Sequence, residues 1–307
     1  MKRYLALSGG GDKGLLLMGM MYQLSVTDIK NVQYDEMSGI STGGLVAAIT
    51  SSIERKNFSS EILKKKEIFM DPNFQVVQQW AWSSVLNIID AYFFHNSIYD
   101  NEPLRKLLEV HYDPKQNKIP FTVGAYNKTK SRYETLQPTH EAVVATSALP
   151  VVLPSVQIGD SVYEDGGMKH LIPVNEIKEW LKLPGEKTID VLCCFPINNA
   201  EKFKDMIIPK NSMGFTKTLR HSLADIMYTV MENDLKDIAD AMKADLDEII
   251  TSNVIELRHK NNTIRLFSPQ NGWYSNFTHM TPLNSERLFR EGINTVHKYL
   301  NVSTTEL

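Results

Sequence analysis

Cysteine is almost missing from the chain: its 307 residues include only Cys193 and Cys194, side by side within the apolar run Val191–Phe195. Two adjacent thiols cannot build the crosslinked framework of a small secreted domain. They also make a poor zinc site, because neighbours on a strand point to opposite faces and no second pair exists. Both are expected to be small core residues. An excess of one charge is missing as well. Lys and Arg number 33 against 36 Asp and Glu, a formal charge of −3, so no overall field draws in a polyanion and nucleic acid is not an expected partner. Long apolar runs are absent too. The longest lies near Leu15 to Met21, well short of the ~20 residues that cross a bilayer. After Met1-Lys2-Arg3, the apolar stretch Tyr4–Leu7 is cut off by Ser8-Gly9-Gly10-Gly11, too soon for the core of a secretory signal. A soluble, intracellular protein is the expectation. No repeat, low-complexity tract or linker stands out.

What is present, 42% hydrophobic and 22% charged residues, suits a folded globular chain. One domain over residues 1–307 is expected, with a motif-bearing core over about 4–200 and a helical and strand extension, 201–307, packed on it. Residues 3–8 suggest a buried strand, 9–14 a glycine turn, and Leu15–Leu24 a helix. Gln33–Met37, the turn from Ser38 to Gly44, and the helix from Leu45 repeat that unit. Two such units in succession favour an α/β fold with a mostly parallel sheet and crossover helices. Further on, a helix is expected over Ser59–Tyr92 with a break at Asp71-Pro72-Asn73, another over Glu102–Val110 capped by Asn101, and paired strands over Pro120–Tyr126 and Tyr133–Leu136. A hairpin (156–158 and 161–163), a strand (188–195), a long helix (215–244), two strands (254–257, 263–267) and a last helix (285–300) complete the pattern. The last helix carries Leu288, Phe289, Ile293, Val296 and Leu300 on one face.

Gly39-Ile40-Ser41-Thr42-Gly43 matches G-x-S-x-G, in which a sharp strand-to-helix turn lifts a serine hydroxyl clear of its backbone. Gly9-Gly10-Gly11-Asp12-Lys13-Gly14 offers bare backbone N–H groups at a helix start, where positive charge gathers. Such donors suit the oxyanion of an acyl-transfer intermediate, together with the N–H of Thr42, the residue after the serine. Lys13 either adds charge near a phosphate or is a solvated first-turn residue. The same loop also fits the G-x-G-x-x-G dinucleotide fingerprint, with Asp35 available as its acid. A serine needs a base. None of the eight histidines sits in a distinctive motif, and Ser41 comes too early for the usual α/β-hydrolase order. Asp165, in Asp165-Gly166-Gly167 at the end of the expected hairpin, is the better candidate. Its alternative is an ordinary Asp-Gly turn, and a solvated Asp of pKa ~3.9 would be a feeble base unless burial raised it.

Taken together, these residues resemble the patatin-like phospholipase family, in which a glycine-rich oxyanion loop, a G-x-S-x-G serine and a D-G-G or D-G-A aspartate follow in that order. Ala145–Pro154 resembles the Ala/Ser/Pro segment before the family's aspartate, and Ile98–Arg105 resembles its mid-domain motif, so the likeness spans about residues 4–173. The resemblance implies a three-layer α/β/α fold and hydrolysis of fatty-acyl esters in phospholipids or other lipids, of phospholipase A or lysophospholipase type, at a membrane or micelle surface. It also implies a Ser–Asp dyad with no metal or organic cofactor. Carried over, Ser41 is the nucleophile, Asp165 the base, and Gly9, Gly10, Gly11 and Thr42 the oxyanion hole. Lys13, Gly14, Gly39, Gly43, Gly166 and Gly167 support the motifs. Two departures stand out. Lys13 replaces a frequent arginine, and His170-Leu171-Ile172-Pro173 lacks the Asn that often precedes the proline after the D-G-G turn. A dinucleotide-binding protein and a catalytically silent module of the same fold remain the alternatives. Trp80, Trp82, Tyr92, Phe93 and Phe94 suit either an acyl-pocket wall or core packing, the 13 Met either an adaptable acyl channel or core filling, and Lys64-Lys65-Lys66 either lipid head groups or a solvated helix face.

Overall fold

The computed structural model describes residues 1–27, 34–70, 78–79, 97, 99–205, 214–252, 255–271 and 282–303. Its strands are β1 (Lys2–Leu7), β2 (Glu36–Ile40), the short pair β3 (Gln78–Gln79) and β4 (Tyr99–Asp100), β5 (Phe121–Asn127), β6 (Arg132–Leu136), β7 (Val156–Ile158), β8 (Ser161–Asp165), β9 (Lys187–Leu192), β10 (Ile255–His259) and β11 (Asn262–Phe267). The helices are α1 (Gly14–Thr27), α2 (Thr42–Thr50), α3 (Phe58–Met70), α4 (Glu102–His111), α5 (His140–Thr146), α6 (Val174–Lys182), α7 (Ala200–Asp205), α8 (Gly214–Met242), α9 (Leu246–Thr251) and α10 (Pro282–Ser303).

Among the described residues, one sheet runs β10-β11-β9-β1-β2-β5-β8-β7, with β6 also paired to β5. The pairs β11–β9, β9–β1, β1–β2 and β2–β5 are parallel; β10 and the hairpin strands are antiparallel. Crossover helices explain the parallel centre. Helices α1, α2, α3 and α10 pack together, and α6, whose Trp180 ring stacks on Tyr4 at 4.8 Å, contacts α8. The result is the expected three-layer α/β/α arrangement.

Helix α1 is apolar nearly all round, and Leu15 to Met21 are all buried, as a helix wrapped on every side must be. Its cover is α10. A Cβ on Gly19 would overlap the Phe289 carbonyl, and one on Gly292 would overlap that of Leu16, so the two backbones meet at a glycine on each helix. Leu288, Phe289 and Val296 are buried on the expected face.

Several boundaries shift. The second strand lies at Glu36–Ile40 rather than 33–37, because Leu7 of β1 pairs as far as Gly39. The hydrogen-bonded ladder therefore claims residues that looked like turn. Cys193 and Cys194 are buried and free, just past the end of β9. Asn101 stands at the N-cap of α4 as expected, but its side chain makes no cap hydrogen bond; it reaches the Pro154 carbonyl at 3.4 Å and accepts from Arg105 at 3.3 Å. Lys66 pairs with Glu286 of α10 at 3.1 Å and sits over the Phe289 ring, while Lys64 pairs with Glu61 at 2.6 Å. Lys66 thus ties α3 to α10, whereas Lys64 pairs within its own helix on an exposed face. The aromatic group Trp80, Trp82, Tyr92, Phe93 and Phe94 lies outside the described residues.

At the sheet centre, fully buried Asp190 of β9 accepts from Arg3 Nη2 of β1 at 3.1 Å, from Arg265 Nε and Nη2 of β11 at 2.6 and 2.9 Å, and from the Tyr34 hydroxyl at 2.8 Å. Removing one side of a buried ion pair leaves the other desolvated. Asp190→Ala is therefore expected to destabilise the fold by about 3–5 kcal/mol, read by denaturant unfolding. A loss below about 1 kcal/mol would show that the arginines find other partners.

Candidate active site

Strand β5 brings the two site carriers together. Gly124 pairs with Ile40 of β2 and with Thr135 of β6; Ala125 pairs with Asp165 of β8 and with Glu134 of β6. Since β6 occupies one edge over both residues, β2 and β8 must share the other. Strand β2 runs parallel to β5 and β8 antiparallel to it, so their C-terminal ends, Ile40 and Asp165, meet head to head at consecutive positions. Ser41 is the next residue after Ile40.

Ser41 lies at φ 55° and ψ −125°, a strained region for a residue with a Cβ. Its N–H donates to Thr146 Oγ1 at 2.9 Å, and that hydroxyl donates to the Gly124 carbonyl at 2.5 Å. Thr146, buried in α5, therefore braces the strained turn against β5. The flanking glycines are steric necessities. A Cβ on Gly39 would overlap Gly43, and one on Gly43 would overlap the Leu7 carbonyl. Thr42, buried, begins α2, and the first N–H groups of a helix have no partner within it.

Asp165 is buried at 3% exposure. Its backbone N–H donates to the Ala148 carbonyl at 2.9 Å, and its Oδ1 accepts from the Gly167 N–H at 2.7 Å. Gly166 packs against the Gly124 carbonyl and the Ile40 side chain. Burial pushes the Asp165 carboxyl up to about 7, while the Gly167 N–H and, less strongly, the Ser41 side chain pull it down.

The glycine loop closes the third side. Gly9 lies against the Ser41 Cβ, and Gly14, the first residue of α1, lies beside Thr42 and Val46 of α2 and Phe69 of α3. The Gly9 N–H donates to the Leu171 carbonyl at 2.9 Å, which corrects its expected place among the oxyanion donors: it is already committed. The Gly9 carbonyl accepts from Ser8 Oγ at 2.9 Å, and the Gly10 carbonyl from Lys13 Nζ at 3.4 Å. In a trans peptide the C=O and the next N–H point oppositely, so Ser8 and Lys13 fix the directions of the Gly10 and Gly11 N–H groups. Lys13 is buried and paired with Asp12 at 3.2 Å, not the solvated first-turn residue of the alternative reading. Gly11 takes φ 66°, and Cys194 packs directly under Gly10.

Two histidines of interest are engaged elsewhere: His140 Nε2 with the Tyr112 carbonyl at 2.9 Å and His170 Nδ1 with Asp234 at 2.7 Å. The dinucleotide reading loses its acid. Asp35 precedes the start of β2, at the opposite end from the glycine loop, and its Oδ2 accepts from the Arg3 N–H at 2.8 Å. A ribose-binding acid belongs at the strand's C-terminal end. Sequence reasoning missed Thr146, Ser8 and Asp234. Thr146 lies within the Ala/Ser/Pro segment and was within reach; Asp234, in the middle of a long charged helix, carries no local signal.

The model of the patatin-like phospholipase family matches residues 5–177, more than half of the chain, and the chain belongs to that family. The family as a whole supports lipid acyl hydrolysis. None of the curated proteins matches the sequence. Among solved structures, VipD from Legionella pneumophila aligns over 98% of this chain and 67% of its own, at 15% identity and a TM-score of 0.40. ExoU in its complex with SpcU, from the type III secretion system of Pseudomonas aeruginosa, aligns over 80% of this chain and 52% of its own, at 13% identity and a TM-score of 0.27. The chain thus spans about half of the ExoU length.

A carboxyl raised from its ordinary ~3.9 to about 7 by burial opposes folding where it must ionise. Its penalty is absent below about pH 4, grows as pH rises towards 7, and is complete above it. Asp165→Asn is therefore expected to be more stable than the parent by about 1–3 kcal/mol at pH 8 and to gain nothing near pH 4, as measured by thermal unfolding. An equal effect at both pH values contradicts the burial account.

Proposed function

We propose that the chain is a serine carboxylic-ester hydrolase of phospholipase A or lysophospholipase type, working through an acyl-Ser41 intermediate with Asp165 as base. The observation that carries this reading is the convergence of Ser41, a buried carboxyl poised near pH 7, and directed backbone N–H groups. Asp165 takes the hydroxyl proton as Ser41 Oγ attacks the ester carbonyl. A base whose pKa lies near working pH serves best. The N–H groups of Gly10, Gly11 and Thr42 hold the oxyanion, and Gly9 contributes close approach rather than a donor. Asp165 then passes its proton to the departing alcohol, takes one from the water that attacks the acyl carbon, and returns it to Ser41 Oγ as the acyl–Oγ bond breaks and the fatty acid leaves. Every proton in the cycle is moved by this chain's own groups. Lys13, Gly14, Gly39, Gly43, Gly166 and Gly167 hold the loops in register.

The substrate we assign is an acyl lipid met at a membrane or micelle surface. No helix among the described residues is long and apolar enough to cross a membrane. Peripheral contact is supported by two exposed apolar side chains on the segments around Asp165: Val151, 67% exposed at φ 69°, and Met168, 45% exposed. Residues 201–307 belong, on this reading, to the same domain as the core.

Ser41→Ala and Asp165→Asn are each expected to abolish fatty-acid release, by at least ~10³-fold, in proteins that still fold. Product mass spectrometry on a lipid panel provides the measure; full activity in either variant refutes the dyad. In the parent, kcat/KM should rise with pH through about 7, because the base acts ionised. A fluorophosphonate probe that leaves Ser41 unlabelled would favour the silent module. Val151→Asp is expected to slow hydrolysis in vesicles but not that of a soluble short-chain ester; equal rates on both place Val151 outside the lipid contact.

A further inference from the structure

The family match ends at residue 177, yet a carboxylate far beyond it reaches back to the site. Asp234, in the middle of α8, is 1% exposed. Its Oδ2 accepts from the backbone N–H groups of Leu171 and Ile172 at 2.6 and 2.9 Å, and its Oδ1 bonds to His170 Nδ1 at 2.7 Å. Burial raises its pKa, and His170 and the two N–H groups oppose that rise. All three partners belong to the turn that follows Asp165-Gly166-Gly167. That turn is anchored at its start by the His170 N–H on the Gly166 carbonyl at 3.0 Å, and it ends by holding the glycine loop through the Leu171 carbonyl and the Gly9 N–H at 2.9 Å.

We infer that Asp234 is a positioning residue for the ester hydrolysis proposed above, on which this inference rests: by holding the turn after Asp165-Gly166-Gly167 it sets the glycine loop at its working distance from Ser41. The carboxylate pins two consecutive peptide N–H groups, which fixes the orientation of the Leu171 carbonyl. That carbonyl holds the Ser8–Gly9 peptide through the Gly9 N–H, and Ser8 Oγ holds the next peptide, Gly9–Gly10, through the Gly9 carbonyl. The Gly10 N–H, the first proposed oxyanion donor, belongs to that second peptide, so Asp234 acts on it through one intervening residue whose N–H is anchored. The segment beyond the family match is thereby part of the catalytic unit rather than an appendage. Asp234 touches no reacting atom. Its effect must fall on the transition state, because the oxyanion donors are needed there and ground-state binding of the acyl chain does not use them.

The test compares the full-length parent with Asp234→Ala, Asp234→Asn and Ser41→Ala on a p-nitrophenyl acyl ester in detergent micelles, with kcat and KM determined separately and folding checked by circular dichroism. Asp234→Ala, which leaves two N–H groups without their acceptor, is expected to lower kcat by about tenfold to a hundredfold with KM unchanged. Asp234→Asn, whose carbonyl oxygen still accepts from both N–H groups, is expected to recover most of the loss. Should the alanine variant fail to fold, the asparagine variant decides, through a smaller fall in kcat with KM unchanged. Parental kcat in a folded alanine variant, parental kcat in the asparagine variant where the alanine variant does not fold, or a loss confined to KM overturns the inference. Ser41→Ala separates the two levels: turnover that survives it sinks the proposed serine mechanism itself, whereas no turnover in Ser41→Ala beside parental kcat in the Asp234 variants removes only the role of Asp234.

Discussion

One edge of β5 governs the geometry of this protein. A strand offers a single hydrogen-bonding edge on each side, and here one side is divided between β2 for its first half and β8 for its second. The parallel and antiparallel partners run towards each other and stop at Ile40 and Asp165, opposite neighbouring residues. A serine and a carboxylate distant in sequence are thus delivered to the same spot by backbone pairing alone, and side-chain interactions only refine the placement. The small residues at the junction follow from that crowding. Gly124 receives Gly166 on its carbonyl, and Thr146 spends its hydroxyl joining the Ser41 turn to the same carbonyl.

The local chemistry was legible in the sequence and the long-range chemistry was not. The glycine loop, the elbow and the Asp-Gly-Gly turn are spelled out in contiguous residues, because each depends on local steric demands that few residue types meet. The alternation of strands and helices was readable for the same reason, and the last helix carried its buried face openly. Boundaries slipped where pairing overrode local preference, as in β2, and short helices such as α5 and α7 left too few residues for a period to show. The role of Gly9 was misjudged because a bare N–H in a loop looks available until the chain that claims it, here Leu171, is seen. Asp234 is the extreme case, one acid among many on a charged helix, meaningful only through the turn it meets.

The site also sets stability against chemistry. A strained serine, a carboxyl forced away from water and two glycines where backbones nearly touch all oppose folding. The counterweight lies elsewhere: in the largely buried α1 and in the Thr146 brace. Strain is tolerated at the top of the sheet because its middle is so firmly packed.

The crossing of α1 and α10 at Gly19 and Gly292 bears on how such a chain is made. During synthesis, α1 emerges about 270 residues before α10, with the side at Leu16 and Met20 that α10 will meet still uncovered by it. A nascent or clipped polypeptide lacking the second glycine would present a greasy rod to chaperones and to neighbouring copies. The glycine turn at the start of that rod would have no settled foundation. The settled form of that turn therefore waits on the helix Pro282–Ser303, translated long after it.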